Sequence, residues 1–456
     1  MIDLSDRLAG ELAALTFADL PDRTVAAARR VVLDAVGVML GASGLAAEAS
    51  PFIDLAASSG TGPCRILGTD RTAPAPAAAL ANGALAHALD FEDAFDLAPG
   101  HPNASLVPAL IALSQAEAPV DGRRFLAALV AGCELSCRMG LALRQPMEAG
   151  GWYPPPILAG FGAAAGAAHL LGLSGQGLRD ALSLALCQVT MPGEIKHSQG
   201  TVIRAVREAF PAQAAVQSAL LARAGVPGFE EPLEGRSGFY ALYAGGQFDP
   251  ACLLQGPPQG WWIEQLTFKP WPSCRGTHPF IAMALELRGS LPADLAAISR
   301  IRVRHDAVQA MLVQPLARKQ APAVAIDAKF SIPWSLAVAL IDGGVGLDSF
   351  RPERLSDPTV LGLASRIAVE ERADPEWQRG SGGAIAIDLA DGTTLATSRP
   401  DAPGGPAAPL DDAALVAKFR DCAARAARPM TGDAAQSLAE AILSLERCED
   451  VGELLS

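Results

Sequence analysis

The sequence predicts a mostly helical protein with two domains, in which a smaller α+β domain is inserted into a large all-helical one. Two observations lead to this prediction. The chain of 456 residues is too long for one simple core. Its apolar residues follow helical spacing through the first half, whereas strictly alternating segments follow Pro257-Pro258.

The predicted helices of the large domain share apolar residues at i, i+3, i+4 and i+7, and Gly, Pro or Ser residues separate them. They span residues 23–43, 75–90, 105–117, 124–143, 157–171, 178–190, 209–225 and 237–244. The helical pattern returns at 411–427 and 433–446 after a turn-rich connector. We therefore expect the C-terminal segment to pack with the first domain.

The smaller domain is predicted from alternating segments at 299–305, 366–371 and 384–390. Asp391-Gly392 follows the last of them and is a strong hairpin signal. Helical patterns lie at about 276–288, before the first of these segments, and at about 330–342, between the first and the second. The predicted boundaries are 1–265 plus 406–456 for the large helical domain and 266–405 for the α+β lid domain, with a ligand cleft between the two.

Composition excludes several classes of protein. Half of the residues are hydrophobic and 19% are charged, which excludes a disordered chain. The net charge of −13 and the absence of a Lys/Arg run argue against a nucleic-acid partner. An anionic substrate must therefore meet a local cluster of cations.

The N-terminal residues, the apolar segments and the cysteines indicate a cellular location and argue against common metal sites. The first residues lack the pattern of a signal peptide, and the apolar stretch 157–173 fits a buried helix better than a membrane span. The eight cysteines form no CxxC pair or Cys/His ligand spacing. We expect a cytoplasmic protein with no membrane partner and no bound metal.

Polar residues concentrate in one motif. Residues 79–93 read Ala-Leu-Ala-Asn-Gly-Ala-Leu-Ala-His-Ala-Leu-Asp-Phe-Glu-Asp, and His101-Pro102 follows. Helical spacing places His87, Asp90 and the 93/94 position on one face. Taken in isolation, these residues also fit a capping and turn region with a hydrogen-bonded histidine.

This motif and those that follow resemble the MmgE/PrpD family in sequence and order along nearly the whole chain. The later segments are Gly151-Trp-Tyr-Pro-Pro-Pro, Gly200-Thr-Val-Ile-Arg, Lys269-Pro-Trp-Pro-Ser-Cys-Arg-Gly-Thr-His and Asp327-Ala-Lys-Phe-Ser-Ile-Pro-Trp. The resemblance implies a helical domain with a lid domain, a homodimer, and no metal or organic cofactor. It also implies a small polycarboxylate substrate, because the family includes 2-methylcitrate dehydratases, cis-aconitate decarboxylases and iminodisuccinate epimerases.

The resemblance implies which side chains carry the reaction. Asp90 and His101 occupy the family's catalytic Asp and His positions, and Lys269 occupies that of a substrate-binding lysine. Arg204 stands at the position of a catalytic lysine, and Arg207 at a position that often holds a histidine. An arginine can bind a carboxylate but cannot act as a base at usable pH.

Other positions depart from the family pattern. Tyr153 replaces a histidine, Trp334 replaces the usual tyrosine, and Ala94 stands where decarboxylase-like members carry threonine. Tyr153 can act as a base only if nearby cations stabilise its phenolate, and it can otherwise donate a proton. We expect Cys274 and Trp334 to line the substrate pocket, although Cys274 also fits a buried thiol.

Plain structural alternatives remain for the basic residues. Arg204 and Arg207, at i and i+3, also fit a solvated helix face. Lys269 and Lys329 also fit ordinary surface lysines.

Three hypotheses about function follow. The leading one is a cofactor-free lyase that abstracts a proton beside a carboxylate of a di- or tricarboxylic acid, in the manner of a dehydratase. The alternative is an isomerase or epimerase acting on a similar acid, with His101 and Tyr153 as its acid/base pair. The third is a vestigial binder that has lost its proton-transfer groups.

Overall fold

The computed structural model describes residues 4–198 and 201–456, and the chain divides into two compact units. The first unit comprises Met1–Ala88, Glu92–Thr267 and Asp411–Ser456, and the second comprises Leu89–Phe91 and Phe268–Leu410. The sequence pattern predicts the two later divisions after residues 265 and 405. It does not single out Leu89–Phe91, because the partners of this segment in the second unit are distant in sequence.

Helices dominate both units. Those of the first unit up to residue 254 are α1 (Leu4–Ala14), α2 (Asp22–Leu45), α3 (Ser50–Ser58), α4 (Ala75–Ala88), α5 (Asn103–Ala116), α6 (Gly122–Ala142), α7 (Pro154–Leu170), α8 (Gly175–Leu186), α9 (Ile203–Val206), α10 (Ala209–Arg223), α11 (Phe239–Tyr243) and α12 (Pro250–Leu254). The second unit contains α13 (His278–Arg288), α14 (Leu316–Gln320), α15 (Ala325–Lys329), α16 (Ile332–Asp342), α17 (Pro352–Leu355) and α18 (Pro358–Ala364). The first unit ends with α19 (Asp412–Ala423), α20 (Gly432–Ile442) and α21 (Val451–Leu454).

The predicted fold class, mostly helical with a smaller α+β part, is confirmed. The first unit departs from an all-helical domain where β1 (Cys64–Arg65) pairs antiparallel with β2 (Thr72–Ala73). Gly68 lies between these strands with a φ of 74°, which a residue with a Cβ rarely adopts. Two-residue strands leave too few alternating positions for a sequence pattern to reveal them.

Small residues let the central helices of the first unit pack closely. A Cβ on Gly162 of α7 would lie 2.5 Å from the carbonyl oxygen of Gly132 on α6, and a Cβ on Gly166 would lie 2.4 Å from a methyl carbon of Leu106. The apolar stretch predicted to be a buried helix falls mainly in α7, where His169 is the one residue that is not buried. The Gly162/Gly166 pair therefore serves close helix packing.

The C-terminal helices belong to the first unit, as the sequence pattern predicts. Gly37, Gly41 and Gly44 form a stripe on α2, where each added Cβ atom would lie within 3.1 Å of an atom of residues 419–427. Lys418 on α19 forms a buried ion pair of 2.6 Å with Asp34 on α2. Close backbone approach and a buried charge pair therefore fix α19 against α2.

The second unit contains a four-stranded sheet in the order β4-β3-β5-β6, with β3 (Ile298–His305), β4 (Ile367–Glu371), β5 (Gly383–Leu389) and β6 (Thr394–Arg399). The β3–β4 pair is parallel, whereas β3–β5 and β5–β6 are antiparallel. Gly392, with a φ of 90°, lies in the predicted hairpin between β5 and β6. Strand β6 alternates between exposed and half-buried residues, as expected at an edge.

One helix of the described chain, α6, is by itself long and apolar enough to cross a membrane. Of its apolar 18-residue window, 94% is buried inside the protein. A core helix of this kind meets the same criterion of length and composition.

We predict that Gly162→Ala destabilises the protein, because its Cβ would meet the Gly132 carbonyl at 2.5 Å and force α6 and α7 apart. Such overpacking costs about 1–3 kcal/mol. The control is Gly10→Ala on α1, where a Cβ meets no atom within 4 Å and helix propensity favours alanine by up to about 1 kcal/mol. Chemical denaturation followed by circular dichroism measures both, and equal midpoints for the two variants would contradict this packing.

Candidate active site

The acidic motif continues from the end of α4 into a loop that turns back on itself. Phe95 donates its backbone N–H to the carbonyl of Gly100 at 3.0 Å, so the chain reverses between these residues. The reversal returns His101 to the side of Asp93, and α5 begins two residues later at Asn103. A local turn therefore brings together polar residues that are eight or more positions apart in sequence.

Glu92 holds two histidines of the first unit. Its Oε1 atom lies 2.6 Å from Nδ1 of His87 and 3.0 Å from Nδ1 of His101. The two imidazole rings lie 5.5 Å apart between centroids, with 56° between their planes. The side chains of Glu92 and His87 are 1% and 0% exposed, whereas that of His101 is 16% exposed. His101 is thus the member of this trio that solvent or a ligand can reach.

The surroundings of His101 define its tautomer. Its Nδ1 lies 3.0 Å from the Glu92 carboxylate and 2.8 Å from the Asp93 carbonyl, and both of these groups only accept hydrogen bonds when the glutamate is ionised. Nδ1 therefore carries the proton, and Nε2 of the neutral ring holds the lone pair. A carboxylate behind one nitrogen is the arrangement that orients a histidine for proton transfer through the other.

Asp93 is a second buried carboxyl beside this trio. Its Oδ2 accepts a 2.9 Å hydrogen bond from Nδ2 of Asn103, the first residue of α5. Among the described residues, its Oδ1 has no hydrogen-bond partner. Burial, reinforced by the charge of Asp34, raises the pKa of Asp93 to about 7. Its carboxyl group therefore exchanges its proton near neutral pH.

Tyr153 lies at the start of α7 among three cations of the first unit. Nη1 of Arg207 donates to the tyrosine hydroxyl at 3.0 Å. The cationic groups of Arg207, Lys196 and Arg204 lie 5.1, 5.1 and 6.0 Å from the ring centroid. Arg207 and Arg204 are 0% and 8% exposed. The alternative in which the two arginines form a solvated helix face is therefore wrong.

Glu208 connects this cationic cluster to α5. Its Oε1 accepts from Nε of Arg207 at 3.1 Å, and its Oε2 accepts from the Ser105 hydroxyl at 2.6 Å. Ser105 lies two residues after Asn103, the partner of Asp93. The first turn of α5 therefore contacts Asp93 through Asn103, and through Ser105 it contacts Glu208, the partner of Arg207.

The second unit contains a buried group built on Asp90 and two lysines. Nζ of Lys269 lies 2.8 Å from Oδ1 of Asp90, and their side chains are 0% and 1% exposed. Lys329 is 4% exposed and donates to the carbonyl of Leu89 at 2.6 Å. The alternative in which Lys269 and Lys329 are surface lysines is therefore wrong.

Two further predicted site residues, Cys274 and Trp334, belong to the second unit. Cys274 is partly exposed, and its backbone N–H donates to the Lys329 carbonyl at 3.0 Å. Trp334 is fully buried in the first turn of α16, and its indole N–H has no hydrogen-bond partner among the described residues. Their roles as pocket residues stay predictions.

The structure therefore brings Tyr153, Arg204 and Arg207 together in one unit, and Asp90 and Lys269 together in the other. Sequence reasoning missed Glu92, Glu208 and Lys196. Glu92 stands inside the acidic motif and Glu208 directly follows Arg207, so acidic residues adjacent to the candidate positions were the available signal. Gly200 of the predicted Gly-Thr motif lies outside the described residues.

Comparison with known proteins identifies the family. The MmgE/PrpD N-terminal domain model matches residues 6–251, and the MmgE/PrpD C-terminal domain model matches residues 271–446. Human cis-aconitate decarboxylase is 27% identical, in an alignment that covers 99% of this chain and 93% of the relative.

Two fungal relatives are similar at comparable identity. Cis-aconitate decarboxylase of Aspergillus terreus is 25% identical over 86% of this chain and 83% of its own length. The mitochondrial 2-methylcitrate dehydratase of Yarrowia lipolytica is 28% identical over 73% of this chain and 66% of its own length. With both domain models matched in order along the chain, this protein belongs to the MmgE/PrpD family.

Proposed function

We propose that this protein is a lyase that dehydrates a small hydroxylated di- or tricarboxylic acid. The observation that carries the proposal is the orientation of His101, whose Nδ1 faces Glu92 and the Asp93 carbonyl at 3.0 and 2.8 Å. Nε2 is thereby left as a base on a side chain that is partly exposed. The relatives named above are lyases of the same family, which supports the reaction class.

In this reaction Nε2 of His101 removes a proton from the carbon beside a substrate carboxylate. The imidazolium that forms is stabilised by the ionised Glu92, which is already in place at Nδ1. Because Glu92 is 1% exposed, little water screens this interaction. Glu92 acts through His101 and is therefore a positioning residue.

Tyr153 is suited to donate a proton. Its hydroxyl oxygen accepts from Arg207, so its own O–H hydrogen points elsewhere. Protonation of a leaving hydroxyl group is the second half of a dehydration. The positive charges of Arg207, Lys196 and Arg204 then stabilise the phenolate until it is protonated again.

Clustered cations supply what an acidic chain needs to bind an anion. The net charge is −13, so long-range forces disfavour a polycarboxylate. In the first unit Lys196, Arg204 and Arg207 surround Tyr153 and can hold a carboxylate locally. In the second unit we assign to Asp90 the catalytic role, and to Lys269 the substrate-binding role, that the family resemblance implies.

Decarboxylation is the second candidate, and the similarity to cis-aconitate decarboxylases over nearly the full chain favours it. Loss of carbon dioxide leaves a carbanion that needs a proton donor, a role that Tyr153 or protonated His101 can fill. The isomerase alternative uses the same groups, one removing a proton and the other returning it to the opposite face. The three reactions give different products, so product analysis distinguishes them.

We propose that the protein is a cytoplasmic homodimer, whichever of the three reactions it catalyses.

We predict that a panel of citrate-like acids, with malate-like and cis-aconitate-like acids beside them, contains a substrate that is dehydrated. The measurement follows absorbance of the new double bond together with carbon dioxide release and deuterium uptake from solvent. Dehydration gives absorbance without carbon dioxide. Carbon dioxide release would identify a decarboxylase, and deuterium uptake without net conversion would identify an isomerase. No signal in any of the three assays would contradict an enzymatic function.

We predict that His101→Ala lowers kcat by about 10²- to 10⁴-fold, the usual contribution of a general acid–base group. Glu92→Gln should lower kcat as well, because a neutral amide stabilises the imidazolium less than a carboxylate does. The control is His169→Gln, since His169 contacts the Leu15 carbonyl at 2.8 Å, away from the trio. Steady-state kinetics at matched folded fraction measures all three variants. Unchanged kcat in His101→Ala would refute the role of His101.

We predict that Asp93 makes stability fall as pH rises towards neutrality. Its pKa is raised to about 7 in the folded protein and is about 3.9 in an unfolded chain. Between these values the native state holds the extra proton, so the free energy of unfolding decreases with pH and levels off above about 7. Asp93→Asn should flatten this slope, whereas the exposed Asp433→Asn should not. Denaturation midpoints at several pH values measure how stability depends on pH. The same slope of stability against pH in Asp93→Asn and in the parent would contradict the prediction.

A further inference from the structure

Asp90 has an unusual backbone conformation. Among the described residues it is the one non-glycine residue with a positive φ, at 50°. Asp tolerates this left-handed region better than most residues, but the region is still sparsely populated. A residue stays there only when its surroundings hold it there.

Two lysines of the second unit hold the peptide groups on either side of Asp90. Nζ of Lys329 donates to the carbonyl of Leu89 at 2.6 Å. Nζ of Lys269 donates to the carbonyl of Asp90 at 3.0 Å and to its Oδ1 at 2.8 Å. Hydrogen bonds from an ammonium group are stronger than those between neutral groups. The side chains of Asp90, Lys269 and Lys329 are all buried.

These contacts act on the two backbone dihedral angles of Asp90. The Leu89 carbonyl belongs to the planar peptide group that rotates about the N–Cα bond of Asp90, and this rotation is φ. The Asp90 carbonyl belongs to the next peptide group, whose rotation is ψ. Lys329 therefore restrains φ of Asp90. Lys269 restrains ψ and also holds the Asp90 carboxylate in place.

Lys329 is itself fixed in place. It is the last residue of α15, and its carbonyl accepts the backbone N–H of Cys274 at 3.0 Å. Its ammonium group lies 5.4 Å from the centroid of the Phe350 ring, within cation–π range. The group that contacts Leu89 thus has a defined position.

We propose that Lys329 is a positioning residue that keeps Asp90 in its left-handed conformation and so presents the Asp90 carboxylate for catalysis. The catalytic part of this inference rests on the role of Asp90 in the proposed function. The conformational part rests on the contacts of the second unit alone. Lys329 touches a backbone carbonyl, so its effect on the reaction passes through the orientation of residue 90.

The test uses Lys329→Met, which keeps the length of the side chain and removes the ammonium group. The matched control is Lys319→Met. Lys319 is also buried and also donates to a backbone carbonyl, that of Phe330 at 2.7 Å, but this acceptor lies beside Lys329 and not at Leu89–Asp90. Lys329→Arg retains a charged donor and serves as the rescue variant, and it covers the case in which Lys329→Met folds poorly.

Two measurements are made on the full-length variants: a crystal structure that gives φ at residue 90, and steady-state kinetics on the substrate found by the panel of acids. We expect Lys329→Met to move Asp90 to a negative φ and to lower kcat by about 10²-fold, the usual cost of a misplaced catalytic group. KM should change by less than about threefold. Lys319→Met and Lys329→Arg should keep the positive φ and most of kcat.

The outcomes separate this inference from the proposed function. A positive φ at Asp90 in Lys329→Met overturns the inference, whatever the activity. A negative φ with unchanged kcat overturns the positioning role in catalysis. An equal loss of kcat in Lys319→Met also overturns it, because the effect would then be general damage to the segment 329–331. If the parent protein turns over no acid, the proposed function fails, and φ at residue 90 still decides the conformational claim.

Discussion

The first unit depends on one buried interaction, in which a single oxygen of Glu92 accepts a hydrogen bond from His87 at 2.6 Å and lies 3.0 Å from Nδ1 of His101. A carboxylate removed from water is costly unless donors surround it. His87 and His101 supply these donors, so burial and tautomer are coupled. The same contact that makes the buried charge tolerable also leaves Nε2 of His101 as a base.

The polar residues around this interaction form a connected set and not isolated pairs. Asn103 and Ser105 in the first turn of α5 contact Asp93 and Glu208, and Glu208 pairs with Arg207. A shift of α5 would therefore disturb Asp93 and the cations around Tyr153 together. The close packing of small residues in the neighbouring helices limits such shifts, since their backbones are already in contact.

The sequence predicted the architecture better than the contacts. Helices such as α2, α6 and α7 are revealed by apolar spacing, and the Asp391-Gly392 turn between β5 and β6 by its residue types. The resemblance pointed to Asp90, His101 and Lys269. It could not show that Glu92 is the carboxylate at His101, because the Phe95–Gly100 turn that joins them depends on backbone pairing. The carbonyl groups that accept hydrogen bonds from the buried Lys269 and Lys329 are far from these lysines in sequence. No local sequence pattern therefore indicates that the two lysines are buried.

The central claim, that Glu92 fixes His101 with its proton on Nδ1, is tested most directly by ¹⁵N NMR of the imidazole nitrogens. The spectrum of the neutral form should show a protonated Nδ1 and an unprotonated Nε2 at His101. Glu92→Gln should weaken this preference, and His169→Gln should leave it intact. A His101 that carries its neutral-form proton on Nε2 would contradict the account, because the accessible nitrogen would then have no lone pair with which to remove a proton.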